Sequence, residues 1–245
     1  MCGSANSKRQ KILSFAIFKG DKNMHNFKYV TKREAAPYKD ELIEFLKAVQ
    51  NEVRNDFTFR FDFIGSSSRN MITHDENGNI GFDFDVNIEP NDPDEQYSAE
   101  EIHKIIFNAM QKHILKLGFF RYNGIYRKVE ESTSVITIKN IDRINSRITN
   151  SCDFAIVHHY NDKGNIHQQY IRFNKNYNTY TWEERGKGFY IDKKIEWLKK
   201  HKYWGELRDY YLYKKNINEN HYKHSRSLLA ETVNELYNKY RNISP

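Results

Sequence analysis

The sequence predicts an α+β fold, in which a mixed, largely antiparallel sheet flanked by helices is followed by a C-terminal helical domain that closes a cleft. Three observations predict it. Apolar and polar residues alternate with period two at Phe57 to Phe63 and again at Phe82 to Ile88, as they do in half-buried strands. Apolar residues recur at helical spacing from Leu42 to Val53 and from Ile102 to Ala109. Beyond Gly186 and Gly188 only helical spacing remains, which sets the expected division: a loose tail over 1–10, a sheet domain over 11–187 and a helical domain over 188–245.

Taken in order, Tyr38 to Val53 reads as a helix with Leu42, Phe45, Leu46, Val49 and Val53 in one stripe. A strand with Phe57, Phe59, Phe61 and Phe63 on one face follows and ends at Gly65, where Gly65-Ser66-Ser67-Ser68-Arg69 reads as a turn. Asp75 to Asn79 is a second loop. The next strand runs from about Gly81 to Ile88, with Asp83, Asp85 and Asn87 on the face opposite Phe82, Phe84, Val86 and Ile88, and Pro90 and Pro93 are expected to close it. Ser98 and Glu101 form a capping box for a helix that stops at Gly118. Val135 to Lys139 and Ser151 to Val157 read as further strands, and Gln168 to Phe173 with Thr179 to Trp182 as a hairpin. Ile191 to Lys200, Trp204 to Lys215 and Ser225 to Tyr240 complete a small helical bundle.

Composition narrows the class of partner. The chain has 245 residues and a formal charge of +7, which favours anionic partners such as nucleotides or nucleic acid. The basic residues are spread along the chain. Its 17 Tyr and 16 Phe fall mostly in periodic segments and are read as core, not as base-stacking platforms. No apolar run approaches the ~18 residues of a membrane helix, and no secretory leader pattern opens the sequence, so no membrane partner and a cytoplasmic location are expected. Two cysteines, Cys2 and Cys152, make neither a disulfide framework nor a Cys-based zinc site. His158-His159 and the other histidines lack zinc-site spacing, and there is neither a Walker lysine loop nor a Rossmann glycine triplet.

The chemistry sits on the aspartates. Asp83 and Asp85 share one strand face with α-carbons ~7 Å apart, a spacing at which two carboxylates can serve metal ions. Mg2+ is held by hard oxygens, and a third carboxylate from another strand completes such a set. Asp153 is preferred over Asp92, Asp94 and Asp142 because it alternates against Cys152, Phe154 and Ile156 in a strand. In the Gly65-Ser66 turn, glycine lets backbone N–H groups approach phosphate oxygens and serine adds a donor. Alone, each piece is also what an ordinary turn or a solvated strand face looks like.

Together and in this order they resemble the DNA polymerase beta-like nucleotidyltransferase superfamily. Phe63-Ile64-Gly65-Ser66 matches its apolar strand ending in Gly-Ser, Asp83-Phe84-Asp85-Val86 its paired aspartates, and Asp153-Phe154-Ala155-Ile156 its third carboxylate strand. The spacer from Ser66 to Asp83 is longer than the commonest one. The C-terminal helices resemble the poly(A) polymerase, oligoadenylate synthase and bacterial cyclic-oligonucleotide synthase branch, through Tyr211-Leu212-Tyr213-Lys214-Lys215 and Ser227-Leu228-Leu229-Ala230-Glu231.

The resemblance implies a nucleotidyltransferase-type fold and transfer of an NMP from an NTP to an acceptor hydroxyl, with release of pyrophosphate. It implies Asp83, Asp85 and Asp153 as catalytic residues and ligands of two Mg2+ or Mn2+ ions. Gly65, Ser66 and the neighbouring Ser67, with Arg69, Lys214, Lys215 and Ser227, are the expected nucleotide contacts. The acceptor is expected to be RNA or a second nucleotide. Small-molecule or protein nucleotidyl transfer is the rival enzyme reading, and a non-catalytic nucleotide- or RNA-binding member of the same fold is the rival outside it.

Overall fold

The first helix begins well before Tyr38, because Thr31 and Glu34 close a capping box at its N-terminus. In the computed structural model, which describes residues 25–92, 94–116, 125–185, 191–220 and 222–241, this helix α1 spans Lys32–Val53 and absorbs Pro37. Its buried stripe is Phe45, Leu46, Val49 and Val53, as the spacing required. The expected tail and the Gly186–Gly188 joint lie outside the described residues.

The strands are β1 (Phe27–Tyr29), β2 (Thr58–Ile64), β3 (Thr73–Asp75), β4 (Ile80–Asn91), β5 (Ile125–Glu131), β6 (Ile136–Asp142), β7 (Arg147–Asp162), β8 (Asn165–Asn174) and β9 (Thr179–Glu184). Helices α2 (Gly65–Ser68), α3 (Ala99–Lys116), α4 (Asp192–Lys200), α5 (Trp204–Asn216) and α6 (Ser225–Arg241) complete the described elements. The main sheet runs β2-β4-β7-β6-β5, and β8 joins β7 and carries β9. Only the central β4–β7 pair among these is parallel, so the sheet is mixed and largely antiparallel.

Three local readings are adjusted by the structure. The turn expected at Gly65 to Arg69 is refined to a single helical turn, Gly65–Ser68. Pro90 does not close β4, which runs to Asn91 with Pro90 opposite Phe59. That is tolerable because the β7 ladder ends at Ile88↔Ile156, so the missing Pro90 N–H deprives no partner on that flank. The strand around Asp153 is longer than Ser151 to Val157 because β7 serves three partners, β4 up to Ile156, β6 up to Phe154 and β8 from Val157.

Two hydrophobic cores form. The larger packs α1 and α3 onto the sheet through Leu46, Val49, Ile106, Met110, Phe84 and Phe154. The smaller joins α4, α5 and α6 through Leu198, Leu207, Val233 and Leu236, and takes in Met71 from the loop after α2. The short β1–β3 ribbon lies at the junction: Phe27 N–H donates to Asn216 Oδ1 (2.6 Å) and Tyr29 O–H to the Arg208 carbonyl (2.8 Å). No described helix is long and apolar enough to cross a membrane.

Candidate active site

Register alone gathers the three aspartates. Asp83 and Asp85 alternate onto one face of β4, and the parallel β4–β7 ladder sets Asp85 directly opposite Asp153 and Asp83 opposite Ser151. On the other flank of β4, Ile64 pairs with Asp85, so Gly65 emerges beside that carboxylate. Gly65 has φ +64°, and a Cβ placed there would run into the Asp85 carboxylate. Glycine is therefore required twice, for the left-handed backbone and for the close approach.

Hydroxyl groups hold two of the carboxylates. Ser151 Oγ donates to Asp83 Oδ1, and Thr137 Oγ1 to Asp153 Oδ1 (2.6 Å) from its paired position on β6. Burial by the surrounding protein pushes the Asp83 carboxyl up to about 6, with Asp153 and then Asp85 adding repulsion, while Lys215 and Lys139 pull the other way. The Asp83 side chain still reaches solvent, at the open edge of the site. Asp85 is raised by burial and by Asp153, against the pull of Arg185 and Arg69. Cys152, between these residues in sequence, points into the core and its thiol is held protonated by burial and the three aspartates.

A basic rim faces the carboxylates. Lys215 of α5 is buried, donates to Thr73 Oγ1 (2.7 Å) and lies 4.0 Å from the Phe27 ring centroid. Burial pulls its ammonium down to about 8 despite the opposing influence of Asp83 and Asp75. Arg69 donates to the Gly65 carbonyl (3.1 Å) and to Asp192 Oδ1 at the start of α4 (2.8 Å), tying the Gly65 turn to the helical core. Arg185, at the end of β9, reaches Asp85 electrostatically from beyond β7 and lies near Arg226 of α6.

The expected nucleotide contacts thus divide. Gly65, Ser66, Ser67, Arg69 and Lys215 surround or border the aspartates. Lys214 points away and is paired with Glu231 (3.2 Å) and Glu235 (2.7 Å) on α6. Ser227 occupies the first turn of α6, its N–H donating to the His224 carbonyl (2.9 Å), next to Arg226. Arg185, Lys139, Thr137 and Ser151 were missed from the sequence; alternation along their strands was the only signal, and it cannot name a cross-strand partner.

Among the described residues no three His, Cys, Asp or Glu side chains already converge as a chelate for one ion. The donor set nevertheless suits a hard divalent cation: three carboxylates share a sheet face, two of them are raised by burial and then by repulsion, and each paired hydroxyl occupies one oxygen. Asp83, Asp85 and Asp153 are the residues that would hold it.

This mixed sheet flanked by helices is the nucleotidyltransferase fold. The same fold is found in the cyclic AMP-GMP synthase DncV of Vibrio cholerae in complex with nonhydrolysable GTP (TM-score 0.51, 16% identity, 80% of this chain and 51% of that chain). The DncV complex with the linear intermediate pppA(3′,5′)pG compares similarly, at TM-score 0.50 and 15% identity over 81% of this chain and 53% of that one. The chain therefore spans about half the length of these synthases. No family model matches it, and no curated protein matches it in sequence.

Proposed function

We propose that the chain is a metal-dependent nucleotidyltransferase that moves an NMP from an NTP to an acceptor hydroxyl of a nucleotide or RNA, releasing pyrophosphate. The observation that carries this reading is the convergence of Asp83, Asp85 and Asp153 on one sheet face beside the Gly65–Ser68 turn. The fold shared with DncV supports it, as does the cationic rim. The division into a catalytic sheet domain, 11–187, and a substrate-side helical domain, 188–245, belongs to the same proposal.

In this reading Gly65, Ser66 and Ser67 hold the β- and γ-phosphates, and Arg69 and Lys215 neutralise them from the two cores. Two Mg2+ or Mn2+ ions, when bound by the three aspartates, supply charge neutralisation at the phosphates and acidify the acceptor hydroxyl. Thr137 holds Asp153 Oδ1, which leaves Oδ2 to take the proton of the acceptor hydroxyl. The acceptor oxygen bonds to the α-phosphorus, the bond from that phosphorus to the bridging oxygen breaks, and pyrophosphate leaves in line. An oligonucleotide synthase, linear or cyclic, is the sharper form, since the acceptor is then a second nucleotide.

The test is calorimetric titration with each of the four NTPs, with and without Mg2+, followed by chromatography of the mixtures. Metal-dependent binding and a new nucleotide product formed from NTP alone are the expected results. A folded sample that binds no NTP under any of these conditions would refute the reading.

A further inference from the structure

Arg69, after the turn that follows β2, and Arg185, at the end of β9 beyond β7, both act electrostatically on Asp85, and strand alternation puts Glu89 on the same face as Asp85 and His159 on the same face as Asp153. Arg69 is anchored by Gly65 and Asp192. Arg185 has a longer anchorage. Its Nη1 donates to Gln168 Oε1 at 2.7 Å, and because a guanidinium has only donors, the amide must turn its oxygen to Arg185 and its nitrogen the other way. That nitrogen stands 2.8 Å from His159 Nε2, so the ring nitrogen accepts. The ring proton is then on Nδ1, 2.8 Å from Glu89 Oε2, and the same carboxylate oxygen takes Arg60 Nε (2.8 Å) and Nη2 (2.6 Å). One placement of protons accounts for each of these hydrogen bonds from Arg60 to Arg185.

The relay crosses the place where the sheet divides. The β4–β7 ladder ends at Ile88↔Ile156, and β7 takes up β8 from Val157↔Tyr170. Past that fork Glu89 replaces the lost ladder, accepting the His159 backbone N–H at 3.1 Å as well as its ring. A strand fork needs no more than this. The extension through Gln168 to a half-buried arginine beside the aspartates goes further than closing the fork requires.

We propose that His159 and Gln168 are positioning residues, which hold the Arg185 guanidinium against the Asp85 flank so that it meets the negative charge of the bound nucleotide there. This rests on the nucleotidyltransferase reading. Gln168→Leu removes the acceptor for Arg185 and should lower kcat/KM about tenfold, the effect of one hydrogen bond to a charged group, and His159→Phe should do the same. Arg185→Ala should cost more. The double variant Arg185→Ala with Gln168→Leu should be no worse than Arg185→Ala alone within about twofold, because Gln168 acts through Arg185. Gln168→Glu keeps an acceptor for Arg185, and its other oxygen accepts from His159 once the ring carries a proton on both nitrogens, so activity should recover to within about threefold.

A second readout does not depend on turnover: the heteronuclear NOE of the Arg185 Nε–H by NMR, high in the wild type, should fall in Gln168→Leu and recover in Gln168→Glu. Losses that multiply in the double variant, or an unchanged NOE in Gln168→Leu, would overturn the positioning role. A wild type that turns over no NTP overturns the nucleotidyltransferase reading and the role given to Arg185, while the NMR result still decides whether the relay holds that side chain.

Discussion

The two cores present opposite charge to the same gap. The sheet core sets out Asp83, Asp85 and Asp153 on one face, where Lys139 of β6 and Arg185 after β9 offset part of their charge, and the helical core sends in Lys215 from α5. Both sides are electrostatically strained: Asp83 is pushed up to about 6 although Lys215 and Lys139 face it, and Lys215 is pulled down to about 8 although Asp83 faces it. In each case burial outweighs the attraction. A self-neutralising ion pair would shift both groups the other way, so the gap can take further charge of both signs, as the proposed metal-bound nucleotide would supply.

The largest expected break in this arrangement is on the sheet side. Asp85→Asn or Asp83→Asn should reduce turnover by about three orders of magnitude or more, with the circular dichroism spectrum unchanged. Asp83→Asn should also raise the thermal midpoint of the metal-free protein near pH 8. The sign follows from its raised carboxyl: the folded state binds the proton more tightly than the unfolded chain, so metal-free stability falls as pH rises from about 4 to about 6. An Asp83→Asn variant that melts lower than the wild type at pH 8 would show that repulsion among the aspartates does not act as described.

Gly65→Ala comes next. The added Cβ must displace the Asp85 carboxylate and the backbone must hold φ +64°, which costs about 1–2 kcal/mol in backbone strain and should cut turnover steeply. Denaturant melts with paired kinetics measure both.

On the helical side Lys215 and Lys214 offer a direct contrast. Lys215→Met should weaken NTP binding about tenfold or more, read by calorimetry, and should remove a pH dependence of stability. The folded state binds the Lys215 proton less tightly than the unfolded chain, so wild-type stability rises between about pH 8 and 10.5, by about 3 kcal/mol in all. Lys214→Met should change NTP affinity less than about twofold, because Lys214 is paired with Glu231 and Glu235 and does not face the aspartates. Equal effects from the two lysines would erase the contrast.

That contrast also marks how far the sequence reaches. Helical spacing places Lys214 and Lys215 about 100° apart, so one faces the gap and the other does not, but nothing local says which. Packing decides it, through Tyr211 and Leu207 in the same core stripe. The aspartates were easier to find because period two is local: Asp83, Asp85 and Asp153 each alternate against buried neighbours, and only the parallel ladder that joins them is non-local. Arg185, Thr137 and the Glu89–His159–Gln168 relay depend on cross-strand register and on a fork in β7, neither of which leaves a pattern in a single segment. The β1 and β3 strands are three residues each, too short to show a period, yet they carry the junction between the cores.

The most direct test of the site as a whole is pyrophosphate release from each NTP by the wild-type chain in Mg2+ or Mn2+, run beside Asp153→Asn and a chelator control. Metal-dependent release by the wild type, abolished by the substitution and by the chelator, is the expected result. Release that survives loss of Asp153, or a wild type that binds NTP and metal yet never releases pyrophosphate with any nucleotide or RNA acceptor, would contradict the assignment of the three aspartates to nucleotidyl transfer.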